Sequence, residues 1–216
     1  MERKSFATFC IASICCLCLV FSAVSTPIIA ANIEETDDEI RVTIGARDTM
    51  SPAALTKYSN AQASSLAQFI DETPNAVGKA LVTFDRFLTV EQAASMLEGA
   101  EKIDTIYMWM PNQEGRAIIY VQNNDIETSI REFFRSIGLS TQPASEMKSS
   151  LLDLEKNYGI FAVKIDDQYT QLQSMEANEV VSHMDLLYSS EAVQLANSTG
   201  KTVKYICVPE KPDGTL

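Results

Sequence analysis

The chain lacks any charged side chain between Lys4 and Glu34, which is the longest such gap in its sequence. A basic start, here Arg3 and Lys4, followed by an apolar stretch is typical of an export signal, because the apolar part enters the membrane while the basic end stays behind. We therefore expect residues 1–31 to be a signal peptide or an N-terminal membrane anchor. The remainder of the chain is then secreted or extracytoplasmic.

The end of this segment favours cleavage. Pro27 interrupts a helix, and the small residues Ala30 and Ala31 come directly before a polar, acidic stretch, as at a signal-peptidase site. Cleavage is predicted near Ala30 or Ala31, with 23–25 as an earlier alternative. About 20 apolar residues suffice to cross a bilayer, so retention of residues 6–31 as a single-pass anchor stays open.

Cysteine is scarce outside this segment. Of the five cysteines only Cys207 lies beyond residue 31, so a processed chain can form no internal disulfide and must rely on its core. Cys207 alternates with Val203 and Tyr205 in a strand-like pattern, which favours a small buried hydrophobic side chain over a reactive thiol.

Basic residues are also few. The chain has 17 Lys plus Arg against 29 Asp plus Glu, and without Glu2, Arg3 and Lys4 the counts become 15 and 28, a net charge near −13. Such a charge repels nucleic acid and anionic lipid head groups. We expect no nucleic-acid partner, and contact with the membrane only through the N-terminal segment.

Histidine occurs once, at His183, and no nucleophile motif accompanies it. Asp185 lies two positions on, which in a strand places both side chains on one face, as a base and its orienting group would be. The pairs Asp37–Asp38 and Asp166–Asp167 lack the spaced oxygen ligands and the glycine of a calcium loop. We expect no catalytic residue, no metal or cofactor site and no enzymatic activity.

The hydrophobic periodicity predicts an α+β fold. The predicted parts are an acidic linker over 32–50, in which 40–44 is able to add a strand, an N-terminal helix over 51–75, a first α/β unit over 79–138, a second over 146–210, and a tail over 211–216. The order β-α-β-β-α favours one or two ferredoxin-like two-layer sandwiches, with a mixed or antiparallel sheet and helices on one face. The sequence leaves open whether both units share one sheet.

Local signals mark where several elements begin. Helix starts are predicted at Ser51 with Pro52 after it, at a capping box of Thr89 and Gln92, at Asn124 or Asp125, and at Ser145. Strands over 105–110 and 116–121 are separated by a connection of hairpin length, and 202–208 is predicted as the last strand.

A family resemblance rests on a strand followed by 87–92 (Phe-Leu-Thr-Val-Glu-Gln), then 106–109 (Ile-Tyr-Met-Trp), then a later strand–helix unit. This order resembles the extracytoplasmic C-terminal regions of membrane-linked, anti-sigma-like sigma-factor regulators of Gram-positive bacteria, over residues 79–208. The resemblance implies a sensing or interaction module of the cell envelope.

Tyr107, Trp109 and Tyr120 stand out among the aromatic residues, and the first two are candidates for a partner surface. If Ile106 and Met108 face the core, Tyr107 and Trp109 occupy the other face of the same strand, where they either contact a partner or are covered by the chain itself. We therefore expect an exported, non-enzymatic binding or sensing module whose partner is a protein of the cell envelope. The alternative is an inhibitor or propeptide-like partner of an exported hydrolase, a role that small domains of this class also serve.

Overall fold

The computed structural model describes residues 32–110, 115–137 and 158–213. Within these ranges the chain forms two sheets, five α-helices and one 3₁₀ helix. In chain order the elements are β1 (Asn32–Glu35), β2 (Glu39–Gly45), the 3₁₀ helix (Arg47–Thr49), α1 (Pro52–Glu72), β3 (Val77–Leu88), α2 (Val90–Met96), β4 (Lys102–Met110), β5 (Gly115–Tyr120), α3 (Ile126–Ser136), β6 (Gly159–Gln168), α4 (Tyr169–Glu176), β7 (Val181–Leu186), α5 (Ser190–Thr199) and β8 (Thr202–Val208).

The larger sheet is antiparallel, with the strand order β5-β4-β6-β3-β7. Strand β6 lies between β3 and β4, so the two predicted α/β units contribute strands to one sheet. The α+β class is confirmed, as is the β4–β5 pairing expected of a hairpin. In a ferredoxin-like sheet the hairpin strand β5 would fill the gap between β3 and β4. Here β6 fills it and β5 lies at the edge, so the ferredoxin-like strand order is not confirmed.

Helices cover one face of the larger sheet. Alternate residues of its strands point to this face, and they pack with apolar residues of α1, α2, α3 and α4 in one buried cluster. The cluster includes Val82, Ile106 and Val163 from the sheet, and Leu66, Ala93, Ile130 and Leu172 from the helices. Removal of this apolar surface from water is the main source of stability in a fold without disulfides.

The opposite face of the larger sheet packs against the smaller sheet, β1-β2-β8. Strand β2 is the central strand, antiparallel to β1 and parallel to β8. Its residues Ile40, Val42 and Ile44 are 0% exposed. Residues 32–50 therefore differ from the predicted linker, because the acidic side chains that suggested one lie in β1, in the following turn and on the outer face of β2.

Gly45 ends β2 at a place where no other residue fits easily. Its φ is 84°, and a Cβ atom there would lie 2.5 Å from the carbonyl oxygen of Val208. The left-handed backbone turns the chain from β2 into the 3₁₀ helix, and glycine adopts it without steric cost.

Helix α1 protects the β7 edge of the larger sheet. Ser51 caps the helix by accepting from the Ala54 N–H, and Pro52 follows in the first turn, as predicted. The buried side chain of Gln62 accepts a hydrogen bond of 2.8 Å from the Leu186 N–H of β7. An edge backbone group that would otherwise be buried without a partner is thereby satisfied.

The other helix caps also follow the sequence signals. Thr89 and Gln92 form the predicted capping box at α2, and Asp125 caps α3 by accepting from the Thr128 N–H. The helix predicted after Ser145 lies outside the described residues. Among the helices of 32–110, 115–137 and 158–213, none has the length and apolar character needed to cross a membrane.

Candidate functional site

The space between the two sheets is shielded from solvent beneath β2 and is partly accessible to solvent beneath β8. On β2 the inward side chains are fully buried, whereas their β8 neighbours Val203, Tyr205 and Cys207 are only half-buried. Strand β8 lies over β4 and β6, since Cys207 approaches Tyr107 and Lys164. The smaller sheet therefore leaves the β4–β5 end of the larger sheet uncovered within the described part of the chain.

Apolar side chains lie on this uncovered end. Ile118 pairs with Tyr107 across the β4–β5 ladder, and Tyr120 pairs with Thr105, so both point to the face occupied by the smaller sheet. Yet Ile118 is 53% exposed and Tyr120 is 73% exposed. Large apolar groups with such exposure beside a half-buried tryptophan, Trp109, are typical of an interaction surface.

Two cations flank these side chains. The Arg116 guanidinium lies 5.7 Å from the centre of the Phe161 ring, and the Lys211 ammonium lies 4.6 Å from the centre of the Trp109 ring. Both distances fit cation–π contacts. We call the surface formed by Trp109, Arg116, Ile118, Tyr120 and Lys211 the open side.

The open side carries positive charge on an acidic protein. Only four cationic side chains of the described ranges make no ion pair with a described residue, namely Lys57, Arg116, Arg135 and Lys211. Two of these four lie on the open side, so an anionic group can bind there without breaking an ion pair between described residues.

The two aromatic residues singled out from the sequence occupy different positions. Tyr107 is buried between the sheets at 7% exposure, and burial raises the pKa of its hydroxyl. Trp109 is half-buried, with one ring face against Lys211. Arg116, Ile118 and Lys211 were not predicted as site residues from the sequence, although the alternation of Arg116, Ile118 and Tyr120 along one strand indicates a shared face.

Cys207 is the free thiol of the described residues. It is half-buried beside Tyr107, and burial raises its pKa, so the thiol stays protonated at neutral pH. This environment is unfavourable for nucleophilic chemistry, which needs the thiolate.

A buried ionic cluster lies at the far end of the same inter-sheet space. His183 and Asp185 share a face of β7, as the sequence predicted, with Nε2 and Oδ2 3.8 Å apart. Asp185 is fully buried and is bound by Arg47, whose Nη2 lies 2.5 Å from Oδ1. Arg47 also donates to the Ser59 hydroxyl at 2.9 Å and lies over the Tyr58 ring.

The charges of this cluster suit a structural role, in which they join the two sheets. Burial and the nearby Arg47 guanidinium lower the pKa of His183 to about 4, so its ring is neutral at pH 7. Asp185 is engaged by Arg47, which joins the segment after β2 to strand β7. A buried carboxylate needs such a cationic partner, and the arrangement thereby ties the smaller sheet to the larger one.

The acidic pairs named in the sequence analysis do not gather into a metal centre. Asp166 bonds Lys79 at 2.8 Å, and the Asp167 carboxylate accepts from the Gln168 N–H. Within the described ranges no three His, Cys, Asp or Glu side chains come together with the geometry of a metal site.

An open cleft of about 480 Å³ lies between the end of α2 and helix α4. Its lining is mostly polar and includes Glu98, Glu101, Asp167 and Gln171. Burial raises the pKa of Asp167, which lies beside Glu101.

The predicted cleavage residues Ala30 and Ala31 lie outside the described residues. Comparison of the chain with models of protein families, with curated proteins and with solved structures gives no match.

Proposed function

We propose that this chain is an exported, non-enzymatic binding or sensing module of the bacterial cell envelope, which contacts a protein partner through the open side. The observation that carries the proposal is the exposure of Ile118 and Tyr120 beside Trp109, Arg116 and Lys211. Aromatic and arginine side chains contribute most of the binding energy at protein interfaces. The export signal predicted over 1–31 supports a position of that surface outside the cytoplasm.

The anti-sigma-like resemblance over 79–208 supports a partner connected with sigma-factor regulation. In such an arrangement the module would report the state of the envelope by gaining or losing its partner, and no turnover is required. The engagement of Asp185 by Arg47 and the low pKa of His183 support a structural task for the histidine.

Site-specific photo-crosslinking in the host of origin tests the proposal. A photoreactive residue at position 120 should yield an adduct with one envelope protein, whereas the same residue at Lys57, an exposed position on α1, should not. Unlabelled protein carrying Tyr120→Ser should compete for the partner at least about tenfold less well than the wild type. Equal adducts from both positions would contradict a dedicated surface at the open side.

The same experiment distinguishes the sensing role from the alternative role as an inhibitor of an exported hydrolase. If the adduct contains an exported hydrolase, the purified hydrolase can be assayed with and without the wild-type protein. A fall in turnover that Tyr120→Ser abolishes would favour the inhibitor or propeptide-like role, and unchanged turnover would favour the sensing role.

A further inference from the structure

The backbone of β8 presents hydrogen-bonding groups next to the open side that have no partner among the described residues. The Val208 C=O accepts a hydrogen bond of 2.7 Å from the Ala46 N–H, so this residue's backbone groups point toward β2. The Gly45 N–H instead donates to the Tyr58 hydroxyl, which agrees with even-numbered β2 residues facing β8. Since successive residues of a strand point their backbone groups to opposite sides, the groups of Val203, Tyr205 and Cys207 point away from β2.

These three residues make no backbone hydrogen bond to any described residue, and β8 pairs only with β2 within the described ranges. The edge of β8 that they form faces the β4–β5 end, because β2 lies on the β7 side of the inter-sheet space and β8 on the β4 side. The unpaired edge and the open side thus form one corner.

We infer that this corner binds an extended, acidic segment of a partner polypeptide, which adds a strand to the edge of β8. The inference rests on the proposed function and specifies its mode of binding. Backbone groups of Val203, Tyr205 and Cys207 pair with the segment, as in other cases of strand addition. Alternate side chains of the segment then lie against Trp109, Ile118 and Tyr120.

The charges at the corner favour an acidic segment over a basic one. Arg116 and Lys211 stand at the corner without an ion pair to a described residue, while the protein as a whole carries a net charge of −12. A basic segment meets long-range attraction from the whole protein but repulsion at the corner itself. An acidic segment places its carboxylates beside two cations, where charge-assisted hydrogen bonds fix its position.

Three designed eight-residue peptides, acetylated and amidated, serve as probes. The first, Thr-Glu-Thr-Val-Thr-Val-Thr-Glu, carries its glutamate and valine side chains on one face of a strand. The second has lysine in place of glutamate, and the third is the first with backbone N-methyl groups on alternate residues. We expect the glutamate peptide to bind at least about tenfold more tightly than either of the others, as measured by fluorescence anisotropy. Backbone amide signals of Val203, Tyr205 and Cys207 should shift on binding in an NMR titration.

Substitutions in the protein, rather than in the peptide, test the same contacts. Val203→Pro removes an N–H that points to the free edge, and edge strands tolerate proline there, so the β2 ladder should remain. It should weaken binding of the glutamate peptide about tenfold. The double variant Arg116→Gln with Lys211→Gln should also weaken binding. Lys57→Gln with Arg135→Gln removes two cations elsewhere that likewise pair with no described residue, and it should not.

Absence of binding of the glutamate peptide at about 1 mM, or equal affinity for the lysine or N-methylated peptide, would overturn the inference. The N-methylated peptide leaves the protein unchanged, so this result stands even if Val203→Pro fails to fold. A partner crosslinked from position 120 that is unaffected by the glutamate peptide would leave the proposed function intact and exclude strand addition at β8. Loss of position-specific crosslinking would contradict the proposed function itself.

Discussion

Arg47 is the residue that joins the smaller sheet to strand β7. It lies two residues after the end of β2, its side chain is 12% exposed, and it neutralises the fully buried Asp185. Desolvation makes such a pair a weak net source of stability, but removal of one member leaves a charge without a partner in the interior.

Arg47→Met should therefore destabilise the protein by about 3–5 kcal/mol, measured by urea unfolding. Arg86→Met is the matched control, because Arg86 pairs with Asp85 on the surface, and it should leave the unfolding midpoint unchanged. The double variant Arg47→Met with Asp185→Asn should recover a large part of the loss. If Arg47→Met behaves like Arg86→Met, the Asp185 charge is compensated by another group.

The pH dependence of stability should carry the signature of His183. Its pKa falls from 6.5 to about 4 on folding because the ring is buried and lies near Arg47. The unfolded chain then binds the proton more readily than the folded protein, so stability is lost as the pH falls from about 6.5 toward 4. By pH 5 the loss amounts to roughly 2 kcal/mol.

His183→Gln should flatten this dependence between pH 7 and pH 5. The measurement is the difference in the free energy of unfolding between the two pH values, compared between variant and wild type. Groups such as Asp125, whose pKa is lowered by its role as a helix cap, titrate below this window and contribute equally to both proteins. An unchanged slope in the variant would show that the histidine has the same pKa in the folded and the unfolded chain.

At the scale of elements, helix α1 prevents the β7 edge of the larger sheet from pairing with a further strand. Helix α1 covers β7, and Gln62 supplies the acceptor for the Leu186 N–H. Gln62→Ala should cost about 1–3 kcal/mol, because a buried donor loses its partner. Amide hydrogen exchange at Leu186 should accelerate in this variant. Gln68→Ala, which removes an exposed glutamine on the same helix, should change neither stability nor that exchange rate.

Element identity was predictable wherever a local signal was strong. The capping box of Thr89 and Gln92 placed the start of α2, and the alternation over 202–208 placed β8. Sheet order was not predictable, because the insertion of β6 between β3 and β4 depends on pairings far apart in sequence. The same holds for β2, whose acidic surroundings concealed a strand that becomes buried only when β8 and the larger sheet meet it.

The candidate site was predictable only in part. The shared face of His183 and Asp185 followed from strand periodicity, but their partner Arg47 lies 138 positions from Asp185 and gave no local signal. Trp109 was found because strand alternation places it on the face opposite Ile106 and Met108. The exposure of Ile118 and Tyr120 depends on how far the smaller sheet extends over the larger one, a property of tertiary packing that residue patterns do not contain.

At the scale of the whole molecule, the interleaved strand order links both halves of the chain. Strand β6 is paired on both sides by strands from the first half, and β2 from the N-terminal part is paired with the C-terminal β8. Neither half can complete its own sheet, and opening of one sheet exposes the core of the other. We therefore expect cooperative unfolding of the described regions as one unit.

Trp109 provides a direct measurement of this cooperativity, because it is the only tryptophan and it reports on the space between the sheets. Its fluorescence and the far-UV circular dichroism should give the same urea midpoint and the same slope. A second probe, Trp109→Phe with Tyr188→Trp, reports on the helical face, where Tyr188 contacts Phe69. It should give matching fluorescence and circular dichroism midpoints within that variant. A Trp109 signal that changes at a lower urea concentration than the circular dichroism would show that the smaller sheet separates before the larger sheet unfolds. The corner formed by β8 and the open side would then be a region of local opening rather than a rigid binding surface.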